Sequence, residues 1–297
     1  MTLEHHSALN NGNQNHPPDI SLPATLKTIS GTSNKSPTLN SEVRWHSLNN
    51  EKEGRVACVA QAPRLLDLAK VEEEVYALAL SDKPIAGRVR EALFIIEEAV
   101  RRYGVDGLII SFNGGKDCTV LLHLFAAVLY RLHGSNIEFI HGLYVTHPNQ
   151  FDEVESFVKE TVQRYGLDLV RIPGPMKPAL QRYFEARPGI KAVLVGTRRN
   201  DPHGKHLTAF VPTDEDWPSC MRVHPIVDWQ YQQIWEFLLT LRVPYCKLYD
   251  LGYTSLGGTD NTEPNPDLRN PGMACGYSPA YCLVDECKER DGRRCGK

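Results

Sequence analysis

A glycine pair flanked by polar side chains, Ser-Phe-Asn-Gly-Gly-Lys-Asp-Cys at residues 111–118, is the segment best suited to ligand chemistry. It directly follows the apolar run 105–110 and directly precedes the helical run 119–132. Gly114 and Gly115 can adopt positive φ angles and allow a ligand to approach the backbone. The first free N–H groups of the following helix and its positive dipole end favour an anion. The segment therefore predicts a phosphate-binding loop.

The spacing of this loop differs from the two commonest phosphate motifs, because neither G-x-x-x-x-G-K-[ST] nor G-x-G-x-x-G is present. A tight strand-to-helix turn without a ligand is the alternative, and the matching strand, loop and helix pattern favours phosphate binding over it. Lys116 would then act as a point charge on a polyphosphate, although a solvated lysine also fits the sequence. Asp117 suits the first turn of a helix whether or not it takes part in catalysis.

A second polar block, Gly-Thr-Arg-Arg-Asn-Asp-Pro at residues 196–202, follows the apolar run 191–196. Paired guanidinium groups at the end of a strand suit bidentate hydrogen bonding to phosphate. The dipeptide Asp201-Pro202 favours a turn. Paired arginines are equally common on protein surfaces, so this block alone leaves both interpretations open.

The elements around these blocks alternate between strands and helices. Strand-like runs occur at 105–111, 137–145, 167–172 and 191–196. Apolar residues at helical spacing occur at 64–80, 85–103, 119–132, 152–165, 178–186 and 231–241. We therefore predict an α/β fold with a doubly wound, mostly parallel sheet, extra helices and C-terminal loops that complete the site. Both polar blocks then meet beyond the carboxyl ends of the strands, where such sheets bind ligands.

Two parts of the chain differ sharply in composition. Residues 1–58 are rich in Asn, Ser, His and Pro and carry no long apolar period, which predicts a disordered polar tail. We expect residues 59–297 to form the folded domain that carries both polar blocks. The eight cysteines are expected to be free thiols, and the absence of a C-x-x-C spacing argues against a zinc site.

The overall charge and the targeting signals restrict the class of partner. The formal net charge is -3, which lacks the basic field that nucleic-acid binding usually needs. No run has the length and apolarity of a membrane span, and we find no secretory signal or typical mitochondrial presequence. We expect a monomeric cytoplasmic protein that acts on small molecules, without nucleic-acid or membrane partners.

The loop at residues 111–118 resembles the pyrophosphate loop of the ATP-pyrophosphatase superfamily, strand-Ser-x-[Ser/Asn]-Gly-Gly-x-Asp-[Ser/Cys]-helix. This superfamily includes sulfate-nucleotide reductases, amidotransferase ligases and eukaryotic FAD synthases. Its members mostly cleave ATP between the α- and β-phosphates. The resemblance implies that the loop binds the ATP phosphates through Ser111, Asn113, Gly114, Gly115, Lys116 and Asp117.

The order of the downstream blocks is similar to that of the fungal-type FAD synthases over roughly residues 85–297. These blocks are Gly-Thr-Arg-Arg-x-Asp-Pro at 196–202, Thr-Asp-Glu-Asp-Trp-Pro at 213–218, Arg-Val-His-Pro-Ile-Val-Asp-Trp at 222–229 and Glu-Arg-Asp-Gly-Arg at 289–293. Residues 244–258 resemble a segment that sulfate-nucleotide reductases share with this family. The resemblance implies transfer of AMP from ATP to FMN, which gives FAD and pyrophosphate.

The same resemblance implies roles for individual residues. The implied catalytic residues are Asn113, Asp117, Asp201, Arg290 and Arg293. Gly196 and Arg198 join the loop in the implied ATP site. The implied flavin site contains Asp201, Asp214, Trp217, Arg290 and Arg293. Mg²⁺ is expected to be held mainly by the ATP phosphates and water, without a metal site of protein ligands.

Two alternatives remain. A phosphosulfate-nucleotide reductase shares the loop, but the reductase ending Glu-Cys-Gly-[Ile/Leu]-His is absent around Cys275. A non-catalytic flavin-nucleotide binding protein is the second, and the presence of Asp117, Asp201, Arg290 and Arg293 argues against it. For the two terminal arginines the alternative is a solvated charged helix.

Overall fold

Eight strands form one sheet in the computed structural model, which describes residues 44–50, 54–61 and 64–294. The strands are β1 (Arg44–Asn50), β2 (Gly54–Gln61), β3 (Leu108–Ser111), β4 (Ile140–Thr146), β5 (Leu167–Pro173), β6 (Ala192–Leu194), β7 (Phe210–Pro212) and β8 (Met221–Val223). Their order across the sheet is β1-β2-β5-β4-β3-β6-β8-β7. The five central strands, which are β5, β4, β3, β6 and β8 in sheet order, are parallel. Strands β1, β2 and β7 pair antiparallel at the two edges.

Six α-helices connect and cover these strands. They are α1 (Leu68–Leu80), α2 (Ala86–Tyr103), α3 (Lys116–His133), α4 (Asp152–Tyr165), α5 (Met176–Ala186) and α6 (Tyr231–Thr240). The Asp67 side chain accepts hydrogen bonds from the first turn of α1, and Gly104, with φ of 72°, ends α2.

The side chains of β3 alternate between two hydrophobic clusters, one on each face of the sheet. Leu108 and Ile110 belong to the larger cluster with α1 to α4 and α6, whereas Ile109 belongs to the smaller cluster with α5. Because both faces of the parallel strands are covered, the strands read as continuous apolar runs. The predicted doubly wound α/β fold is confirmed.

The four predicted strands and six predicted helices are present, with ends that differ by a few residues from those expected. Strands β1, β2, β7 and β8 were not predicted. Strand β1 and part of β2 lie within residues 1–58, so the sheet begins earlier than the predicted boundary between tail and domain. Residues 1–43 and 51–53 of the predicted tail lie outside the described residues.

The expectation that no run has the length and apolarity of a membrane span fails for one helical stretch of the described residues, Lys116–Asn136, which is long and apolar enough by length and composition. It comprises α3 and the short 3₁₀ helix that follows, and 67% of the segment tested is buried inside the fold. Its apolar character is therefore that of the central core helix, and its first turn forms part of the site described below.

Candidate functional site

The loop between β3 and α3 is folded tightly at the carboxyl edge of the sheet. Gly114 has a φ angle of 77°, which an L side chain rarely adopts. A Cβ atom at Gly114 would also lie 3.1 Å from Val158 Cγ2 and 3.2 Å from Val154 Cγ1, both on α4. The backbone N–H of Gly115 donates to Asn113 Oδ1 at 3.0 Å. The glycine pair therefore allows a tight turn from β3 into α3, packed closely against α4.

The Cys118 thiol forms a hydrogen bond with the Asn113 side chain. Its Sγ lies 3.0 Å from Asn113 Oδ1 and 3.1 Å from the carbonyl oxygen of Gly115. Burial raises the pKa of Cys118 to about 12, so the thiol remains protonated at neutral pH and donates its hydrogen. Cys118 therefore fixes the orientation of Asn113 and is not a nucleophile.

Four charged side chains form a cluster behind the loop: Lys116, Asp117, Arg198 and Glu289. Lys116 Nζ lies 2.9 Å from Asp117 Oδ2 and 2.5 Å from Glu289 Oε1. Arg198 Nε lies 2.7 Å from Asp117 Oδ1, and Arg198 Nη2 lies 2.5 Å from Glu289 Oε2. Lys116 and Arg198 are 2% and 1% exposed. The cluster joins three distant segments of the chain and balances two cations with two carboxylates.

The two aspartates of the site have opposite pKa shifts. Burial by itself raises the pKa of Asp117, but the adjacent Lys116 and Arg198 charges outweigh burial and leave that pKa below its usual value. Burial, followed by the charges of Asp117 and Glu289, raises the pKa of Asp201, against the hydrogen bond from the Arg198 backbone N–H. Asp117 is therefore a firmly ionised, internally paired group, and Asp201 is the more readily protonated one.

Gly196 ends the segment that follows β6 and lies against the start of α3. A Cβ atom there would lie 3.0 Å from the backbone nitrogen of Cys118 and 3.2 Å from the carbonyl carbon of Asp117. Backbone atoms cannot move aside as a flexible side chain can. The glycine thus allows Arg198 and Asp201 to reach the phosphate loop.

The segment that carries Glu289 is attached through buried polar groups. Thr254 Oγ1 donates to the carbonyl oxygen of Glu289 at 2.6 Å. Asn265 Nδ2 donates to Thr254 Oγ1 at 2.9 Å and to the carbonyl oxygen of Lys288 at 2.8 Å. Both Thr254 and Asn265 are buried. These bonds place the chain near residue 289 above the phosphate loop.

Arg290 and Arg293 lie in a turn, with the Arg293 N–H donating to the Arg290 carbonyl oxygen at 2.8 Å, and not on an α-helix. Arg293 Nη1 donates to the carbonyl oxygen of Leu256 at 2.6 Å and lies 3.5 Å from Ser255 Oγ. Burial, and then the Arg290 charge, lowers the pKa of Arg293. Arg290 is exposed, and its side chain makes no hydrogen bond or ion pair with any described residue. Arg290 is therefore free to contact a ligand, whereas Arg293 is held through Nη1 and keeps a buried Nε without a hydrogen-bond partner among the described residues. The catalytic and flavin-binding roles of Arg293 stay predictions.

These segments surround a cavity of about 490 Å³, a size typical of small-molecule sites. The predicted site residues that line it are Ser111, Asn113, Gly115, Lys116, Asp117, Gly196, Asp201, Arg290 and Arg293. Gly114 and Arg198 lie behind the cavity wall. The charge of Lys116, predicted to act on a polyphosphate, is already paired with Asp117 and Glu289.

Asp214 and Trp217 do not line this cavity. Asp214 is exposed, and its Oδ1 lies 3.4 Å from Arg222 Nη2. Trp217 is partly buried against the smaller hydrophobic cluster, and its backbone N–H donates to the Asp214 carbonyl oxygen at 2.9 Å. The flavin-binding role of these two residues stays a prediction.

Two residues of the site were not assigned from the sequence. Glu289 is the first residue of the motif Glu-Arg-Asp-Gly-Arg, so this motif could have indicated that Glu289 belongs to the site. Its partners Lys116 and Arg198 are remote in sequence, so its ion pairs could not be predicted. Tyr249 lies within the segment 244–258 that resembled the superfamily, and its hydroxyl oxygen accepts the Lys116 N–H at 2.8 Å. Across the described residues, no group of three or more His, Cys, Asp or Glu side chains is placed to hold a metal ion.

Comparison with known proteins gives consistent matches. A family model of the phosphoadenosine phosphosulfate reductase domain matches residues 107–191 and 174–264. The chain is 44% identical over 216 residues to the "Probable FAD synthase" of Schizosaccharomyces pombe, covering 70% of this chain and 80% of that protein. It is 44% identical over 210 residues to the "Probable FAD synthase" of Caenorhabditis briggsae, covering 69% of this chain but only 40% of that longer protein.

A solved structure is also similar over most of the fold. It is the crystal structure of Candida glabrata FMN adenylyltransferase in complex with FAD and inorganic pyrophosphate. The identity is 28% and the TM-score 0.69, and the match covers 80% of this chain and 99% of that one.

Proposed function

The chain belongs to the FAD synthase family, and we propose that it transfers AMP from ATP to FMN, which gives FAD and pyrophosphate. The observation that carries this proposal is the convergence of three segments on one cavity. The phosphate loop with Asn113 and Gly115, the segment with Asp201, and the turn with Arg290 all line it. This convergence supports a site that holds two phosphorylated substrates side by side.

The chemistry requires positioning and charge stabilisation. An oxygen of the FMN phosphate attacks the α-phosphorus of ATP, a new P–O–P bond forms, and the bond from the α-phosphorus to the bridging β-phosphate oxygen breaks. The pyrophosphate leaves with that electron pair. The positive dipole end of α3 suits the charge of the leaving group, although the N–H groups of Gly115 and Lys116 already donate to Asn113 and Tyr249. No covalent intermediate with the protein is needed.

Arg290 is the group we assign to the transferring phosphate. It is exposed at the cavity, and among the residues of the structure it has no side-chain partner. A guanidinium group in that position can bind two phosphate oxygens at once as charge develops on them. Lys116 and Arg198 are less suited to this role, because Asp117 and Glu289 already balance their charges and Arg198 does not line the cavity.

We propose that Mg²⁺ accompanies ATP and is held mainly by phosphate oxygens and water. Asp117 Oδ2 accepts a hydrogen bond from Lys116 Nζ, and Oδ1 lies 2.7 Å from Arg198 Nε without a hydrogen bond among the described residues, so two adjacent positive charges disfavour this carboxylate as a ligand of the ion. Asp201 is the carboxylate on the cavity wall that would contact the ion or the flavin, since only its Oδ2 is engaged, by the Arg198 N–H. The ion neutralises charge on the phosphates when it is bound.

Two other functions are less well supported. In a phosphosulfate-nucleotide reductase a cysteine acts at the nucleotide, but Cys275 is exposed and does not line the cavity. A flavin-nucleotide binding protein without activity does not need the free Arg290 beside the phosphate loop.

The test is incubation of the protein with ATP, Mg²⁺ and FMN, followed by chromatography of FAD and measurement of pyrophosphate. We expect the two products in equal amounts, and omission of Mg²⁺ should abolish turnover. Sulfite release from a phosphosulfate nucleotide with thioredoxin, without FAD, would identify the reductase. FMN binding without either product would identify the binding protein.

We further propose that the enzyme is a cytoplasmic monomer without nucleic-acid or membrane partners. The net charge of -3 supports the absence of nucleic acid. Size-exclusion chromatography with light scattering and cell fractionation test these proposals.

A further inference from the structure

The hydroxyl group of Tyr249 lies at the start of α3, beside the phosphate loop. Tyr249 belongs to the 3₁₀ helix Lys247–Leu251 and is 1% exposed. Its oxygen accepts the backbone N–H of Lys116, the first residue of α3, at 2.8 Å. The same oxygen lies 3.8 Å from where a Cβ atom would be if Gly115 had one. Tyr249 also lines the cavity.

This contact changes which donors the helix presents to a ligand. The first N–H groups of a helix have no partner within the helix and commonly bind phosphate. Here the N–H of Lys116 is already used by Tyr249. In the part of the chain that the structure describes, the phenol proton of Tyr249 has no acceptor. The hydroxyl is therefore available to donate in place of the Lys116 N–H.

Two physical effects favour donation. A hydroxyl that accepts a hydrogen bond is polarised and becomes a better donor in its own right. Burial, and next the negative charge of Asp117, raises the pKa of Tyr249 well above its usual value, so the hydroxyl keeps its proton at any physiological pH.

We propose that the Tyr249 hydroxyl donates a hydrogen bond to an oxygen of the pyrophosphate portion of ATP, which extends the anion-binding end of α3 into the cavity. This inference rests on the proposed function, because it assumes that the polyphosphate binds at this loop. It adds a ligand-contacting residue from the segment 244–258, which is distant in sequence from the loop. A purely structural hydroxyl that caps α3 is the competing explanation.

The test compares Tyr249→Phe with Tyr245→Phe. Tyr245 is matched, because it lies in the same segment and its hydroxyl donates to Asp250 Oδ1 at 2.9 Å, away from the cavity. Calorimetry measures the binding of inorganic pyrophosphate with Mg²⁺ and, separately, of FMN. A hydrogen bond to a charged group contributes about 1.5–3 kcal/mol, so Tyr249→Phe should weaken pyrophosphate binding roughly 10- to 100-fold. FMN binding and both affinities of Tyr245→Phe should stay within about twofold.

Several outcomes would overturn the proposal. Unchanged pyrophosphate binding would show that the hydroxyl does not reach the ligand, and tighter binding would show that the freed Lys116 N–H binds it instead. An equal loss of pyrophosphate and FMN affinity would indicate a structural role. If Tyr249→Phe does not fold, site-specific 3-fluorotyrosine at position 249 provides a stronger donor of almost the same shape. Tighter pyrophosphate binding with unchanged FMN binding is then expected, and unchanged pyrophosphate binding would contradict the proposal.

These measurements are separate from the test of the proposed function. Failure of the wild-type protein to form FAD would reject the reaction, whereas the pyrophosphate affinities would still decide whether Tyr249 contacts a polyphosphate.

Discussion

Glu289 accepts two hydrogen bonds from one nitrogen of Arg198, at 2.7 Å through Oε1 and 2.5 Å through Oε2. Arg198 is 1% and Glu289 7% exposed, so the pair is shielded from water. Arg198 lies after β6, whereas Glu289 immediately precedes the free guanidinium of Arg290. The position of Arg290 over the phosphate loop therefore depends on a buried ion pair between segments 91 residues apart.

Replacing Glu289 by alanine should destabilise the protein and disturb the site together. Removal of one partner of a buried pair costs about 3–5 kcal/mol, because the remaining charges lose their compensation. Here Lys116 and Arg198 would keep only Asp117 as a counter-charge. We expect Glu289→Ala to lower the free energy of unfolding in urea by about 3 kcal/mol and to reduce FAD formation.

Asp291→Asn is the matched control, because Asp291 is an exposed carboxylate of the same turn. Its free energy of unfolding should change by less than about 0.5 kcal/mol. Glu289→Ala with wild-type stability would refute a structural role for the pair.

Arg290→Ala should impair catalysis without affecting stability. Its guanidinium faces the cavity and pairs with no described side chain, so its removal costs no internal contact. Loss of a group that stabilises transition-state charge should lower kcat by well over ~10-fold. Arg294→Ala is the control, since Arg294 is exposed and pairs with Glu263. Wild-type turnover in folded Arg290→Ala would exclude Arg290 from the mechanism.

The sequence predicted those parts of the fold and site that depend on neighbouring residues. The apolar run before residue 111, the glycine pair and the helical run after it are contiguous, so β3, the loop and α3 were recognised directly. Strands β7 and β8 have three residues each and become strands only by pairing with each other and with β6. Such short segments carry no periodicity of their own.

Ion pairs between residues that are far apart in the chain could likewise not be predicted from the sequence. Lys116 follows a phosphate loop and has the pattern of a phosphate-binding lysine. Its partner Glu289 lies 173 residues away, at 2.5 Å from Nζ. Nothing in either local pattern indicates the other residue, and only the folded chain shows that their charges compensate.

Stability should fall as the pH is lowered because of His123. Burial, and then the charge of Arg164, lowers the pKa of this histidine to about 4, against an ordinary value near 6.5. Between these values the unfolded chain binds more protons than the folded one, so unfolding becomes easier as pH falls through this window. One such group should reduce the free energy of unfolding by about 2 kcal/mol between about pH 7 and pH 5.

His123→Asn should flatten this dependence, measured as urea unfolding at both pH values, although it loses the 2.8 Å contact from Nδ1 to the Tyr165 hydroxyl. His206→Asn is the control because His206 is exposed. His224, whose pKa burial also lowers to about 4, accounts for part of the remaining slope. An equal pH slope in wild type and His123→Asn would contradict the assignment.

The predicted flavin contacts are tested by Trp217→Phe and Asp214→Ala. If these residues bind the isoalloxazine ring, FMN affinity should fall at least ~10-fold while the affinity for pyrophosphate stays unchanged. Trp229→Phe is the matched control, because Trp229 is 3% exposed and packs in the larger cluster. Unchanged FMN affinity in both variants would remove Asp214 and Trp217 from the site.

Exposed cysteines should react faster than buried ones when the protein is alkylated. All six cysteines whose side chains are described are free thiols, and Cys275, Cys282 and Cys287 are exposed. Iodoacetamide at about pH 8 should label these three before the buried Cys118, Cys220 and Cys246, because a thiol whose pKa burial has raised to about 12, as in Cys118, forms almost no thiolate there. Mass spectrometry gives the order of labelling, and FAD formation should persist until Cys118 reacts. Loss of activity on labelling of Cys275 alone would instead support the reductase chemistry. The variant Cys275→Ser separates the reductase reaction from FAD synthesis, because it should retain full FAD formation.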